Sequence, residues 1–112
     1  MCTEAQLSKI IKEMVACYRS VYGKDIVEIV LYGSYARGDF SGESDVDIVA
    51  VVQGPRMDLQ EKLKVIWDVS AEIGLENDIV VSPTVIPYDE YLQYKETLPY
   101  YRNIAEEGRK IG

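Results

Sequence analysis

Residues 26–52 read IVEIVLYGSYARGDFSGESDVDIVAVV, two apolar runs joined by a polar segment. β-branched residues dominate both runs, which is typical of buried strands, so we predict strand one over 26–32 and strand two over 46–52. The first run stops at Gly33, where the lack of a side chain lets the backbone turn sharply and approach a ligand. Acidic side chains stand at the start of the second run, and their spacing indicates the kind of site.

Asp45 and Asp47 stand one residue apart at the opening of strand two. Side chains at positions i and i+2 of a strand point to the same face, so the two carboxylates should lie side by side. Like charges repel unless a cation lies between them, and Mg²⁺ with oxygen ligands neutralises such a pair well. An Asp-x-Asp tripeptide alone is most often solvated surface. Its combination with Gly33 and two buried strands is what indicates a site.

The composition restricts the classes of protein and site. With 112 residues, 47% hydrophobic and 28% charged, we expect a single globular domain over 1–112. The chain has no histidine, which excludes histidine-dependent zinc sites and histidine general bases, and its two cysteines lack metal-ligand spacing. The lack of a disulfide framework, a signal-peptide pattern and a long apolar run predicts a cytoplasmic protein. A net charge of −7 without a Lys/Arg cluster disfavours nonspecific nucleic-acid binding.

Helical patterns flank the strands. Thr3 has the form of an N-cap in a capping box, and apolar residues at helical spacing follow it until Gly23, a natural stop. A second helix is predicted over about 57–73, with Gly74 closing it and Trp67 in its buried stripe.

The last third of the chain predicts one more strand and two more helices. Strand three is predicted over 78–82, with a continuation to Ile86. Pro83 indicates an edge position or a break, because proline cannot donate a hydrogen bond to a strand ladder. Helices are predicted over 88–94 and, with a proline in its first turn, over about 99–107.

Connection lengths predict how the strands are arranged. A short connection favours an antiparallel pair for strands one and two, and a full helix between strands two and three favours a parallel right-handed crossover. The predicted fold is therefore α/β (α+β), with a mixed three-stranded sheet in the order 1-2-3 covered by helices. This layout brings four polar side chains to one edge of the sheet: Ser34, Asp45, Asp47 and Asp78.

The pattern Gly-Ser-x-Ala-Arg-Gly at 33–38, followed by Ser-Asp-x-Asp-Ile at 44–48, resembles the signature of the nucleotidyltransferase superfamily that includes DNA polymerase β. Within that superfamily the chain is most similar to the small prokaryotic minimal nucleotidyltransferases. The resemblance extends over nearly the whole length and includes the closing Tyr-Arg-Asn-Ile-Ala-Glu-Glu-Gly at 101–108. It implies the nucleotidyltransferase fold and the transfer of a nucleotide from a triphosphate to a hydroxyl group.

The resemblance also implies roles for the acidic residues. Asp45 and Asp47 would ligate two Mg²⁺ ions, with Asp78 joining them on the catalytic ion. Asp78 would also accept the proton of the incoming hydroxyl, directly or through the metal. Glu76 and Asp89 are the alternatives to Asp78. Three carboxylates suffice for the protein's share of a two-metal transfer.

The glycine turn would hold the triphosphate of ATP. By resemblance, backbone N–H groups of Gly33 and Ser34, together with the Ser34 hydroxyl, cradle the β- and γ-phosphates. Arg37 has two open interpretations. It could reach a phosphate with two parallel hydrogen bonds, or it could pair on the surface with Asp39 or Glu43.

The resemblance finally implies an acceptor. Known members of the minimal group act with a separately encoded helical HEPN-type partner, as antitoxins that transfer AMP from ATP to a tyrosine of the toxin. The expected protein is thus a Mg²⁺- and ATP-dependent protein adenylyltransferase and antitoxin. One alternative keeps the chemistry and uses a small hydroxylated acceptor such as an aminoglycoside, against which the lack of a second substrate domain argues. The other is a module that masks its partner without catalysis, against which the intact motif argues.

Overall fold

The computed structural model describes residues 4–33 and 45–112. In these ranges, four helices and four strands follow the order that the patterns predicted, with one short strand added at the end. They are α1 (Glu4–Tyr22), a 3₁₀ turn (Gly23–Asp25), β1 (Ile26–Tyr32), β2 (Val46–Val52), α2 (Arg56–Asn77), β3 (Val81–Pro87), α3 (Tyr88–Tyr94), α4 (Pro99–Glu107) and β4 (Arg109–Lys110). The predicted cap at Thr3 lies outside the described residues.

The strands form one mixed sheet in the order β3-β2-β1-β4. The predicted order of the first three strands is confirmed, with β1 antiparallel to β2 and β2 parallel to β3. β4 was not predicted, because two exposed polar residues carry no apolar pattern. It pairs antiparallel with Val30 and Leu31 of β1. Gly108 makes this approach possible, since a Cβ atom there would overlap the Val30 side chain.

Helices cover both faces of the sheet. α1 and α2 pack on one face, where Ile10 and Ile66 belong to the same buried cluster as Ile48 of β2. α3 and α4 pack on the other face, where Tyr91 and Ile104 join a cluster with Val30, Val49, Val51 and Ile86. β2 is buried on both faces, as expected for an inner strand with a helix layer on either side. No helix in the described parts of the chain has the length and apolar character needed to span a membrane.

The second helix is longer than predicted, because α2 continues through Gly74 to Asn77. Gly74 is not a helix stop. A Cβ atom there would lie 2.5 Å from the carbonyl oxygen of Ile79, so this glycine lets the chain that leaves the helix pack directly against it. The helix ends at Asp78, which takes the left-handed conformation with φ of 52°. The prediction that strand three starts at Asp78 is therefore wrong, and β3 starts at Val81.

Two further expectations for this half of the chain have opposite outcomes. β3 is the edge strand and Pro83 lies within it, so the edge interpretation of that proline is confirmed. Trp67, in contrast, was expected in the core and is 49% exposed. The buried stripe of α2 consists of other residues, among them Leu59, Leu63 and Ile66. Trp67 follows Ile66 directly and therefore points to a different side of the helix.

The hydroxyl of Tyr18 on α1 lies between β2 and β3. It accepts a hydrogen bond from the Thr84 N–H at 3.1 Å and lies within donor distance of two carbonyl oxygens, of Thr84 at 2.9 Å and of Ile48 at 3.1 Å. Burial raises the pKa of the Tyr18 hydroxyl, so it stays protonated and able to donate. This side chain thus ties the two strands together close to the start of β2.

Tyr18→Phe should lower the free energy of unfolding by about 1–3 kcal/mol, because it removes the buried hydrogen bonds that the hydroxyl makes to the backbone of β2 and β3. Urea denaturation of the purified protein measures the loss. Tyr22→Phe is the matched control, since it removes a single buried hydrogen bond, to the Leu59 carbonyl at 2.7 Å. A loss for Tyr18→Phe no larger than that of the control would show that the Tyr18 hydroxyl does not hold the strands together.

Candidate active site

The two predicted carboxylates lie at the start of β2. Asp45 is exposed and Asp47 is half-buried. Asp47 points to the face covered by α3 and α4, because it alternates along β2 with Val49 and Val51, which pack in that core. Burial, and after it the negative charge of Asp45, raises the pKa of the Asp47 carboxyl above its ordinary value. Both causes make the ionised pair unfavourable until a cation neutralises it.

Gly33 meets Asp47 directly. It follows the last residue of β1 with φ of 80°, a conformation that favours glycine. A Cβ atom on Gly33 would lie 2.6 Å from Oδ2 of Asp47. The antiparallel register explains this proximity, since Tyr32 is the partner of Asp47. The structure therefore brings the two halves of the sequence motif into van der Waals contact at one point.

Two of the predicted phosphate-binding residues, Ser34 and Arg37, lie outside the described residues. Their roles stay predictions. What the structure gives is the position from which this segment starts, at Gly33, and the position at which it ends, at Asp45. Both positions lie at the same edge of the sheet, because β1 and β2 are antiparallel neighbours.

Asp78 occupies a different place from the one the sequence predicted. It is the exposed C-cap residue of α2, three positions before β3 begins. The residue of β3 that pairs with Asp47 is Ser82. Among the described residues, no three His, Cys, Asp or Glu side chains are grouped so that they could hold a metal ion. The metal-ligand role of Asp78 therefore stays a prediction, which the structure supports less directly than that of Asp45 and Asp47.

The two alternatives to Asp78 lie on either side of β3, Glu76 before its start and Asp89 after its end. Glu76 is exposed in the last turn of α2, close in sequence to Asp78. Asp89 follows the end of β3, seven residues beyond Ser82. Pro87, where β3 ends, is roughly 16 Å along the sheet from the level of Asp47 at about 3.3 Å per residue, and Asp89 lies beyond it in α3. Asp89 is thus the weaker alternative.

Two tyrosines, Tyr32 and Tyr100, lie near Asp47. The ring of Tyr100 on α4 packs edge-on against that of Tyr32, with 6.0 Å between ring centres. Burial raises the pKa of Tyr100, a side-chain hydrogen bond with Thr84 lowers it, and the charge of Asp47 adds to the increase. Tyr32 was visible in the sequence as the residue before Gly33. Tyr100 was not, since no local pattern connects it with a motif more than fifty residues away.

Comparison with known proteins shows the family of the chain. The sequence model of the nucleotidyltransferase domain family matches residues 6–111. Two proteins of Methanocaldococcus jannaschii that carry the name protein adenylyltransferase are similar to the chain. One is 35% identical over 103 residues, which are 92% of this chain and 95% of the relative. The other is 33% identical over 93 residues, 83% of this chain and 84% of the relative.

Solved structures share the fold. A crystal structure of a toxin–antitoxin with AMP-PNP superposes with a TM-score of 0.57 at 14% identity, covering 91% of this chain and 72% of that one. A mutant of the toxin–antitoxin MntA-HpeT gives the same TM-score and the same coverage at 12% identity. The family match spans nearly the whole chain and includes the glycine turn and the carboxylate pair at the start of β2. The chain belongs to the nucleotidyltransferase domain family, as its motif predicted.

Proposed function

We propose that this protein transfers AMP from ATP to a hydroxyl group, that of a tyrosine, on a partner protein. The observation that carries the proposal is the contact between Gly33 and Asp47, which sets a tight backbone turn against a carboxylate pair. The relatives named protein adenylyltransferase support the protein acceptor. In this transfer the acceptor oxygen bonds to the α-phosphorus of ATP, the bond from that phosphorus to its bridging oxygen breaks, and pyrophosphate leaves.

The donor set fits Mg²⁺. Asp45 and Asp47 provide hard carboxylate oxygens, and their mutual repulsion, which contributes to the raised pKa of Asp47, is relieved by a divalent cation. Asp78 is the proposed third ligand. Bound Mg²⁺ would supply charge stabilisation for the triphosphate and its leaving group. Without a cation, three carboxylates would repel the negatively charged triphosphate, so the proposed reaction requires Mg²⁺.

The chain's own residues would position the substrates. Gly33 leaves the backbone free to approach a phosphate, and we propose that Ser34 donates its hydroxyl and N–H there. Arg37 is proposed to contact a phosphate as well. Asp78 is the proposed acceptor of the hydroxyl proton.

For the partner, we propose a co-encoded helical toxin of the HEPN type, with this protein as its antitoxin. The resemblance to the minimal nucleotidyltransferases supports this assignment. The structures that share the fold are of toxin–antitoxins, and their sequence identities of 14% and 12% establish a common fold only. The competing functions are transfer to a small hydroxylated molecule and masking of the partner without catalysis.

A labelling experiment tests the proposal. Lysate of the source cells is incubated with Mg²⁺, the protein, and ATP labelled in either its α- or its γ-phosphate. We expect α-label on one polypeptide, no γ-label, and no labelling with EDTA or with a variant carrying both Asp45→Asn and Asp47→Asn. Label recovered in a small molecule would establish the metabolite acceptor instead. A double variant that still neutralises the partner without any label would establish the masking module.

A further inference from the structure

A shallow apolar groove lies between the C-terminal half of α2 and the chain that enters β3. Its volume is about 550 Å³. Trp67, Leu75 and Val80 line it and are 49%, 85% and 59% exposed. Its base is formed where Gly74 lets the helix lie directly against Ile79. Large apolar side chains exposed together in this way mark an interaction surface.

The charged residue that lines the groove is acidic, Asp78, and a lysine, Lys64, lies one turn before Trp67 on the same side of α2. Residues 65–80 contain four carboxylates and no lysine or arginine. All four carboxylates are exposed, and the last of them lines the groove itself; they are Asp68, Glu72, Glu76 and Asp78. A ligand that fills the groove and matches its surroundings therefore presents apolar and cationic side chains together.

The edge strand beside the groove favours a helical ligand. The Val80 carbonyl accepts a hydrogen bond from the Val46 N–H at 2.9 Å, so even-numbered residues of this segment direct their backbone groups toward β2. Odd-numbered residues direct theirs outward, and at Pro83 and Pro87 there is no N–H to offer. An added strand would lack these partners. A helix that inserts side chains into the groove needs none of them.

The groove and the candidate active site lie at the same end of the sheet, the groove beside α2 on one face and the Asp47 side chain on the other. Val80 lines the groove, and its carbonyl is bonded to Val46, which stands between Asp45 and Asp47. The two strands lie about 4.8 Å apart, as neighbouring strands do. A protein docked in the groove that extends around the start of β2 would thus bring other side chains to the carboxylate pair.

We propose that this groove docks a cationic amphipathic helix of the protein that accepts the nucleotide. The inference rests on the proposed function, because it gives the acceptor protein of that reaction its docking surface. Trp67 and Leu75 are the apolar anchors at positions i and i+8 of α2, and the Asp78 carboxylate in the groove lining favours a cationic partner. Docking fixes which hydroxyl reaches the site.

Trp67 is the only tryptophan of the chain, so its fluorescence reports on the groove directly. The probe is a synthetic leucine/lysine helix of about 18 residues, roughly 27 Å long, and the comparison is a leucine/glutamate helix of the same pattern. The lysine peptide should shift the emission of Trp67 to shorter wavelength and saturate. Leu75→Gln should weaken that binding about tenfold. Met57→Gln, the same change at an 84% exposed residue in the first turn of the same helix, should leave it unaltered.

The α-label assay adds the functional readout. Leu75→Gln should lower labelling of the partner protein about tenfold relative to Met57→Gln, with the Kd for ATP unchanged. The docking proposal is overturned by an unmoved Trp67 emission, by an equal response to the glutamate peptide, or by equal labelling in the two variants. A blue shift that grows with protein concentration alone would assign the groove to a second copy of this chain and overturn it too. If the peptide titration succeeds and wild-type protein labels nothing, the proposed function fails and the groove assignment stands.

Discussion

Asp47→Asn is expected to lower the rate of nucleotidyl transfer more than about 100-fold, because losing a mere hydrogen-bond partner of a metal ligand already costs about 10- to 100-fold. The amide keeps the shape of the side chain and removes the charge that would hold Mg²⁺ beside Asp45. Initial rates with α-labelled ATP measure the effect. Asp89→Asn, which changes a carboxylate at the far end of the sheet, should leave the rate unaltered. Retained activity in Asp47→Asn would exclude Asp47 as a metal ligand.

The same substitution should stabilise the fold at neutral pH. The pKa of Asp47 is raised in the folded protein, first by burial and then by Asp45. Ionisation therefore costs the folded state more than the unfolded chain, a penalty that is absent at low pH and develops as the pH rises through the two pKa values. The neutral amide of the variant carries no such penalty. Thermal unfolding should show a higher Tm for Asp47→Asn at about pH 7, with the difference shrinking as the pH falls toward the ordinary carboxyl pKa of about 3.9.

Gly33→Ala should reduce the transfer rate about 100-fold, since a displacement of about 1 Å near the reacting groups costs that much. The new Cβ atom would lie 2.6 Å from Oδ2 of Asp47, so one of them has to move. The carboxylate is the end of a rotatable side chain, whereas the glycine backbone directly continues β1. The carboxylate therefore turns away from the position in which it faces its partner Asp45.

Gly23→Ala separates this clash from backbone strain. Both glycines have positive φ, 58° at Gly23 and 80° at Gly33, and an added Cβ atom at Gly23 meets nothing within 4 Å. Each substitution should cost about 1–2 kcal/mol of stability through the left-handed conformation, measured by urea denaturation. Only Gly33→Ala should also lose activity. If Gly23→Ala loses as much activity, the loss reflects general destabilisation and the contact with Asp47 has no catalytic consequence.

Local sequence patterns predicted a helix or strand correctly where the residues of that element themselves show the apolar periodicity or the end residues typical of it. The bounds of β1 and β2 were predicted from their apolar β-branched runs, and the helix at 88–94 from the residues after Pro87. Gly74 failed as a stop signal for α2 because its function is set by a contact with Ile79, which lies beyond the helix. β4 was not predicted for a related reason, since its two residues become a strand only by pairing with β1.

The residues of the site also fall into two groups, those found from local sequence patterns and those found only in the tertiary structure. Asp45, Asp47 and Gly33 were found in the sequence, because spacing along a single strand and the turn before it fixes their relation to one another. The tertiary structure added Tyr100 and Ser82 as neighbours of Asp47, through the packing of α4 and the register of β3.

Tertiary packing also moved Asp78 from the start of a strand to a helix cap and left Trp67 on the surface. Periodicity shows that a side chain is apolar and which residues share its side of a helix. Which side meets the sheet depends on how helices and strands pack, and that is a property of the whole chain. The carboxylate pair and its glycine turn can therefore be predicted from the sequence of residues 26–52. The surroundings of the pair and the groove on α2 exist only in the folded protein.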